Sequence, residues 1–203
     1  MNDGLFITFE GVDGSGKTTQ LEMCAKKLAD EGYDVITTLE PGGAALGKKL
    51  REILLHYEGD VSSRAELFLY LADRAQHIDE IVKPAVKKGK IVLCDRHTDS
   101  TLAYQGHARG LDVERIKKLN LIATDFLKPD LTLVYDIDIE SAQKRVGKEK
   151  DRLEAEGLEF HEKVRRGYLQ IAQEEPERVK VIDAKRGLNE VFEDSLKCLK
   201  ELL

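Results

Sequence analysis

The segment Gly11-Val-Asp-Gly-Ser-Gly-Lys-Thr18 constrains the fold of this 203-residue chain more than any other. It satisfies the pattern G-x-x-x-x-G-K-[S/T], which forms a phosphate-binding loop when it lies between a strand and a helix. That context is present, because an apolar run, Leu5–Glu10, precedes it and an amphipathic stretch, Thr18–Asp30, follows it. A glycine-rich turn that only caps a helix has no reason to carry Lys17 before a threonine. The segment therefore predicts a nucleotide-binding site.

Each part of this loop has a predicted role. Its glycines let backbone amides approach phosphate oxygens, Lys17 reaches the β and γ phosphates, and the Thr18 hydroxyl is a ligand for Mg²⁺. Asp95 follows the apolar run Ile91–Cys94 and is the predicted second metal ligand, directly or through water. ATP contacts are expected from Gly11, Val12, Asp13, Gly14, Ser15, Gly16, Lys17, Thr18 and Thr19.

Short apolar runs alternate with longer amphipathic stretches along the chain, a pattern typical of parallel strands joined by crossover helices. The predicted strands are Leu5–Glu10, Asp34–Thr38, Ile91–Cys94, Leu131–Ile137 and Val179–Ile182. The predicted helices are Thr18–Asp30, Leu46–His56, Ser63–Lys88, Val113–Thr124, Ile139–Val146, Phe160–Glu175 and Leu188–Leu203, with a kink or break at Pro84. We expect one domain over residues 1–203, an α/β fold of the P-loop NTPase type: three layers, α/β/α, around a five-stranded parallel sheet.

The stretch Lys144–Glu156 reads KRVGKEKDRLEAE and does not fit a packed element, because nine of its thirteen residues are charged. A solvated helical face is one interpretation. The other is a short lid, over about residues 144–156, that closes over an anionic ligand.

The overall charge limits the classes of partner. A net charge of −6 disfavours a nucleic acid polymer, since such binding depends on a basic surface. No apolar run reaches the length of a membrane span, and Met1–Gly4 lacks the basic start of a secretory signal. The three cysteines lack metal or redox spacing and are expected to be reduced thiols. We therefore expect a cytoplasmic protein that binds small molecules.

The reaction class follows from the arginines. The chain contains no guanine-reading N-K-x-D motif, which argues against a GTPase switch. Arginines occur instead on separate segments, at Arg51, Arg74, Arg96 and Arg152. This distribution favours phosphoryl transfer to a phosphorylated acceptor over simple ATP hydrolysis, because two anionic substrates must be held together. Within this reaction class, the acceptor could be any of several (deoxy)nucleoside monophosphates. Outside it, the alternative is a nucleotide-binding switch without phosphotransfer.

Several motifs in order resemble the thymidylate kinase family. They are FEGVDGSGKTTQ at 9–20, EPGG at 40–43 followed by Arg51, LYLADR at 69–74, DRHTDSTLAYQG at 95–106 and DRLE at 151–154. The resemblance implies an enzyme that uses ATP and Mg²⁺ to phosphorylate dTMP to dTDP in dTTP biosynthesis. It also implies a homodimer, for which Ser63–Lys88 is a candidate surface.

The resemblance assigns roles to individual side chains. Asp13 is expected to meet the 3′-hydroxyl of dTMP, and Arg51 and Arg96 its phosphate. Tyr70 is expected to stack on thymine, with Arg74 donating to a base carbonyl. Further pocket residues are expected at Ser100, Tyr104 and Gln105.

The resemblance also assigns a role to the lid. It is expected to supply positive charge to the transferring phosphoryl group through Arg145, Lys148, Lys150 and Arg152. Arg152 is the first choice for this role, and Arg145 is also expected to contact ATP. The predicted catalytic set is Lys17, Arg51, Arg96 and Arg152, and we expect Lys17→Ala or Arg96→Ala to abolish most activity without unfolding the chain.

Three positions depart from the family pattern. Leu39 and Ala44 stand where an arginine and a threonine are usual, which leaves the bracing of the EPGG loop open. His97 replaces the usual aromatic residue after Asp95-Arg96. The histidines, at positions 56, 77, 97, 107 and 161, lack ligand spacing and are interpreted as surface or packing residues.

Overall fold

Five parallel strands form the sheet that carries the phosphate-binding loop. The computed structural model describes residues 4–147 and 151–203. The strands are β1 Leu5–Glu10, β2 Val35–Leu39, β3 Ile91–Asp95, β4 Leu131–Asp136 and β5 Val179–Asp183, in the order β2-β3-β1-β4-β5. All five predicted strands are confirmed, and no strand end differs from its prediction by more than one residue. The central position of β1 places the loop that follows it between its neighbours β3 and β4.

The helices largely follow the predicted pattern. They are α1 Lys17–Asp30, α2 Ala45–His56, α3 Ser63–His77, α4 Lys83–Val86, α5 Thr98–Thr101, α6 Val113–Ala123, α7 Ile139–Gln143, α8 Leu158–Glu174 and α9 Leu188–Lys200. The structure adds α5 and a π-helical segment, Leu102–Ala108, which the sequence analysis missed. The predicted helix Ile139–Val146 was too long, because only its first turn is helical.

The predicted long helix Ser63–Lys88 is interrupted before its proline. A π-helical turn, Ile78–Val82, joins α3 to α4, and Pro84 lies in the first turn of α4. Proline lacks an amide hydrogen and its ring clashes with the carbonyl four residues earlier. Here that carbonyl belongs to Glu80, which lies within the wider π turn instead of a regular α turn.

Apolar side chains of the central strands point alternately to the two faces of the sheet, as the period of a strand requires. One face of β1 and β3 contributes Ile7, Phe9 and Leu93 to the main core. The other face contributes Phe6 and Val92 to a smaller cluster with residues of the α3–α4 region. This two-sided burial gives the predicted α/β architecture and holds the carboxyl ends of β1 and β3 rigidly side by side.

Two further expectations from the sequence concern the cysteines and membrane-spanning helices. Cys24, Cys94 and Cys198 are free thiols, as predicted. Within residues 4–147 and 151–203, every helix is too short or too polar to cross a membrane.

Candidate active site

The phosphate-binding loop connects the buried end of β1 to the first turn of α1. Gly16 caps α1 with a φ of 88°, a left-handed conformation that glycine adopts without strain. Gly14 has a φ of 80°, and a Cβ there would lie 2.2 Å from the carbonyl oxygen of Ala142. The hydroxyl oxygen Oγ of Ser15 is buried and has no hydrogen-bond partner among the described residues. The loop therefore has the tight backbone and an unsatisfied polar atom that suit a phosphate group.

Lys17 and Thr18 begin α1 and face different partners. Nζ of Lys17 lies 3.6 Å from Oδ1 of Asp13. The Thr18 hydroxyl donates to Oδ2 of Asp95, at the end of β3, over 2.5 Å. The predicted pair of metal ligands is thus brought together by the pairing of β1 with β3.

Arg96 follows Asp95 and turns sharply, with a φ of 70°. Its guanidinium donates to Oδ1 of Asp13 over 2.5 Å and to the carbonyl oxygen of Gly11 over 2.9 Å. It also donates to the hydroxyls of Ser100, Tyr104 and Tyr168, each over 3.2 Å. Arg96 therefore ties the phosphate-binding loop to three other elements as well as facing the site.

Asp13 is held as a carboxylate by this arrangement. Burial opposes its charge, but the positive charges of Arg96 and Lys17 lower the pKa of Asp13 well below its usual range. The Tyr104 hydroxyl donates to its second oxygen over 3.1 Å. Asp13 is consequently a charged acceptor that suits a ligand hydroxyl near neutral pH.

Glu10, the last residue of β1, is fully buried beneath the site. It accepts hydrogen bonds from the backbone amide of His97 and from the hydroxyls of Ser100 and Tyr168. Burial, with the nearby negative charge of Asp99, raises the pKa of Glu10 to about 7, although the hydrogen bonds favour its charged form.

The raised pKa of Glu10 predicts a pH-dependent stability. Between its unfolded pKa of 4.5 and its native pKa of about 7, the native state holds a proton that the unfolded chain has lost. The free energy of unfolding therefore falls as pH rises through this window, by about 3 kcal/mol for this group. Glu10→Gln should remove that slope.

Urea unfolding of wild type and Glu10→Gln at pH 5 and pH 8 measures the difference. Asp73, whose pKa burial raises to about 6, adds a slope of the same sign to both proteins and cancels in the comparison. Equal slopes in the two proteins would show that Glu10 does not titrate in this range.

A cavity that is partly open to solvent lies beside Asp13. The eight residues predicted to bind dTMP all line it: Asp13, Arg51, Tyr70, Arg74, Arg96, Ser100, Tyr104 and Gln105. They come from the loop after β1, from α2 and α3, and from the segment after β3. Lid residues Asp151 and Leu153 complete the wall, so the cavity collects the predicted acceptor residues and part of the lid.

Arg51 and Arg74 differ in how firmly they are held. Within the part of the chain that the structure describes, the Arg51 side chain makes one hydrogen bond, from Nη1 to the carbonyl oxygen of Pro41 over 2.8 Å. Arg74 is only 1% exposed and donates to Glu40, Thr101, Asn120 and the carbonyl oxygen of His97. One of the five N–H groups of Arg74 has no partner among the described residues, which leaves a single donor for a ligand.

A buried polar network around Glu40 was missed by the sequence analysis. Oε1 of Glu40 lies 2.8 Å from Nδ1 of His77 and 3.0 Å from Nδ1 of His97, while Oε2 accepts from Arg74. The interpretation of these two histidines as surface or packing residues was therefore incomplete. This network, with the hydrogen bond from the Gly42 amide to Asp73, braces the EPGG loop that the departures at Leu39 and Ala44 left unexplained.

The lid does not contact the phosphate-binding loop through its predicted cation. Arg152 donates to Oε2 of Glu66 over 2.6 Å and to the carbonyl oxygen of Leu54 over 2.9 Å. Arg145 donates to the carbonyl oxygen of Ala184. Lys148 and Lys150 lie outside the described residues. Leu153 is buried in the main core, so the lid has more to bury than its charge suggested.

Comparison with known proteins agrees with this geometry. The sequence model of the family described as "Thymidylate kinase" matches residues 9–195. The chain belongs to the thymidylate kinase family. It is 49% identical to thymidylate kinase of Desulfovibrio desulfuricans over 197 residues, covering 92% of this chain and 91% of that one. It is 44% identical to the Shouchella clausii thymidylate kinase over 208 residues, covering 100% and 98%.

Solved structures place the fold in the same family. The crystal structure of thymidylate kinase from Ehrlichia chaffeensis matches with a TM-score of 0.80 and 36% identity, covering 97% of this chain and 98% of that one. The fold is therefore that of a P-loop NTPase within the thymidylate kinase family, as the motifs indicated.

Proposed function

We propose that this chain transfers the γ-phosphoryl group of ATP to dTMP, giving ADP and dTDP, as a step in dTTP synthesis. The observation that carries the proposal is the cavity beside the phosphate-binding loop, whose lining includes every predicted acceptor residue. Membership of the thymidylate kinase family supports the same reaction. A nucleotide-binding switch has no need of an arginine-lined cavity in addition to its phosphate-binding loop.

The described side chains suit in-line transfer between two bound phosphates. Lys17 and the loop amides hold the phosphates of ATP, while Arg51 and Arg96 hold the phosphate of dTMP. The attacking group is an oxygen of that acceptor phosphate, which is already largely ionised near neutral pH and needs no general base. Charge and position therefore supply the rate enhancement.

The Thr18 and Asp95 oxygens fit a magnesium site, since both are hard oxygen donors at the mouth of the loop. When bound there with ATP, the ion supplies charge neutralisation of the β and γ phosphates. The roles of Thr18 and Asp95 are to hold the ion and fix its place beside Lys17.

Arg152 is proposed as the lid cation, and its contacts with Glu66 and Leu54 define the state from which the lid would move. Closure would bring its guanidinium to the transferring group and exclude water. Residues 1–203 are proposed to act as one cytoplasmic domain, and as a homodimer in which the α3–α4 region is the candidate surface.

The proposal is tested by measuring ADP release from Mg-ATP with dTMP, dUMP, dCMP, dGMP, AMP and no acceptor. We expect the highest kcat/KM with dTMP and little ADP without an acceptor. A different preferred acceptor would identify another nucleoside monophosphate kinase, and ADP release independent of any acceptor would contradict phosphotransfer.

Asp13→Asn tests the contact with the sugar. We expect the KM for dTMP to rise about tenfold or more, because a carboxylate hydrogen bond to the 3′-hydroxyl is charge-assisted. The KM for 3′-deoxy-dTMP, which lacks that hydroxyl, should change much less. An equal rise for both acceptors would mean that Asp13 acts only by holding Arg96.

A further inference from the structure

Glu66 is a buried carboxylate at the meeting point of the cavity and the lid. It lies on α3 and is 0% exposed. Oε1 accepts from Nε2 of Gln105 over 2.7 Å, and Oε2 accepts from Nη1 of Arg152 over 2.6 Å. Arg109 donates to both oxygens, each over 3.4 Å. The carboxylate of Glu66 is thus paired with two guanidinium groups, those of Arg109 and Arg152.

A charged carboxylate can only accept hydrogen bonds. The side-chain amide of Gln105 must therefore turn its NH₂ group toward Glu66, and the opposite orientation would set two acceptor oxygens 2.7 Å apart. The usual ambiguity between the two ends of an amide is removed here by the chemistry of its partner. Glu66 fixes which end of the amide remains for a ligand.

The free end of that amide is an acceptor. Oε1 of Gln105 takes no hydrogen bond from any residue the structure describes, and Gln105 lines the cavity. Arg74, which lines the same cavity, has only donors. The cavity therefore presents one fixed acceptor and one fixed donor to the edge of a base.

We propose that Glu66 is a positioning residue that sets the base preference of this enzyme by locking the amide of Gln105. This inference rests on the proposed phosphorylation of dTMP. Thymine and uracil offer an N3–H donor beside the O4 acceptor, which complements Gln105 and Arg74. Cytosine offers an N3 acceptor beside an N4 amino group, so both contacts would be repulsive. If the Gln105 amide could turn over, its NH₂ group would pair with cytosine N3.

Glu66→Gln tests the lock. The new amide can donate to Gln105 while its oxygen accepts from Arg152, which favours the reversed Gln105 orientation. The expected result is a fall of about tenfold in the ratio of kcat/KM for dTMP to kcat/KM for dCMP. The ratio of dTMP to dUMP, whose bases share the same edge, should change by no more than about twofold.

Gln105→Leu provides the matched background, because it removes the amide altogether. In Gln105→Leu, adding Glu66→Gln should leave the dTMP to dCMP ratio unchanged. A purely structural role for Glu66 would lower kcat or the melting temperature without moving that ratio, and this outcome would overturn the inference.

The wild-type protein and a charge-retaining variant keep the test decisive if Glu66→Gln does not fold. Wild type should strongly prefer dTMP over dCMP, and Glu66→Asp, which keeps the carboxylate, should keep most of that preference. Comparable use of dCMP by wild type would contradict the fixed amide orientation. Absence of phosphorylation of every acceptor would contradict the proposed function instead, so the two failures are distinguishable.

Discussion

Lys17→Ala is expected to lower the turnover of dTMP by about 10²–10³-fold or more, the range seen when one group that stabilises transition-state charge is removed. Lys17 is the lysine of the phosphate-binding loop and lies at the first turn of α1, 3.6 Å from Asp13. It makes no other ion pair among the described residues, so the free energy of unfolding should change by less than about 1 kcal/mol. Steady-state kinetics and urea unfolding measure the two effects separately.

Lys26→Ala is the matched control for this experiment. Lys26 lies on the same helix and is exposed, and its replacement removes the same charge as Lys17→Ala. It should leave both turnover and stability near wild type. Near-normal turnover in Lys17→Ala, with Lys26→Ala also unchanged, would exclude Lys17 from the mechanism.

Arg96→Ala is expected to damage both activity and stability. The sequence analysis predicted loss of activity with an intact fold, but Arg96 bonds to Asp13, to Gly11 and to three hydroxyls. The Arg96 and Asp13 side chains are only 16% and 25% exposed, so removing one partner leaves a poorly compensated charge and lowers the free energy of unfolding. We therefore expect turnover to fall by orders of magnitude and the midpoint of urea unfolding to fall as well.

Arg96→Lys separates the two contributions. Lysine keeps the charge beside Asp13 but loses the planar fork that bonds several oxygens at once. Stability should recover in part, while turnover should stay low because a bidentate grip on the acceptor phosphate is lost. Full recovery of turnover in Arg96→Lys would mean that a single positive charge at this position is sufficient.

The strands, most helices and the phosphate-binding loop could be predicted because their signals are local. The loop is a contiguous motif, and buried parallel strands appear as apolar runs. The π-helical segment Leu102–Ala108 could not be predicted, since its hydrophobic pattern carries no separate signal and its wide turns depend on packing against α8. Tyr104 and Gln105 lie within it, so their placement in the cavity came from the family motif alone.

The polar networks around Glu40 and Glu66 join residues far apart in sequence, which is why single residues did not reveal them. Glu66 did carry a usable signal. It precedes Tyr70 by four residues, and Arg74 follows Tyr70 by four, so all three lie on one face of α3. A buried glutamate on a face that leads into a binding cavity indicates a paired charge. The partner Arg152 could not be deduced, because the charged lid sequence does not specify which helix it contacts.

The left-handed turn at Arg96 has a consequence for how the two substrates are aligned. Asp95 faces Thr18 on the donor side, and the next residue, Arg96, faces the acceptor cavity. Consecutive Cα atoms are about 3.8 Å apart across a trans peptide bond. The proposed metal ligand Asp95 and the proposed phosphate-binding Arg96 are thus held at a fixed separation by one peptide bond at the end of β3. Movement of the proposed lid over the reacting groups would not alter that spacing.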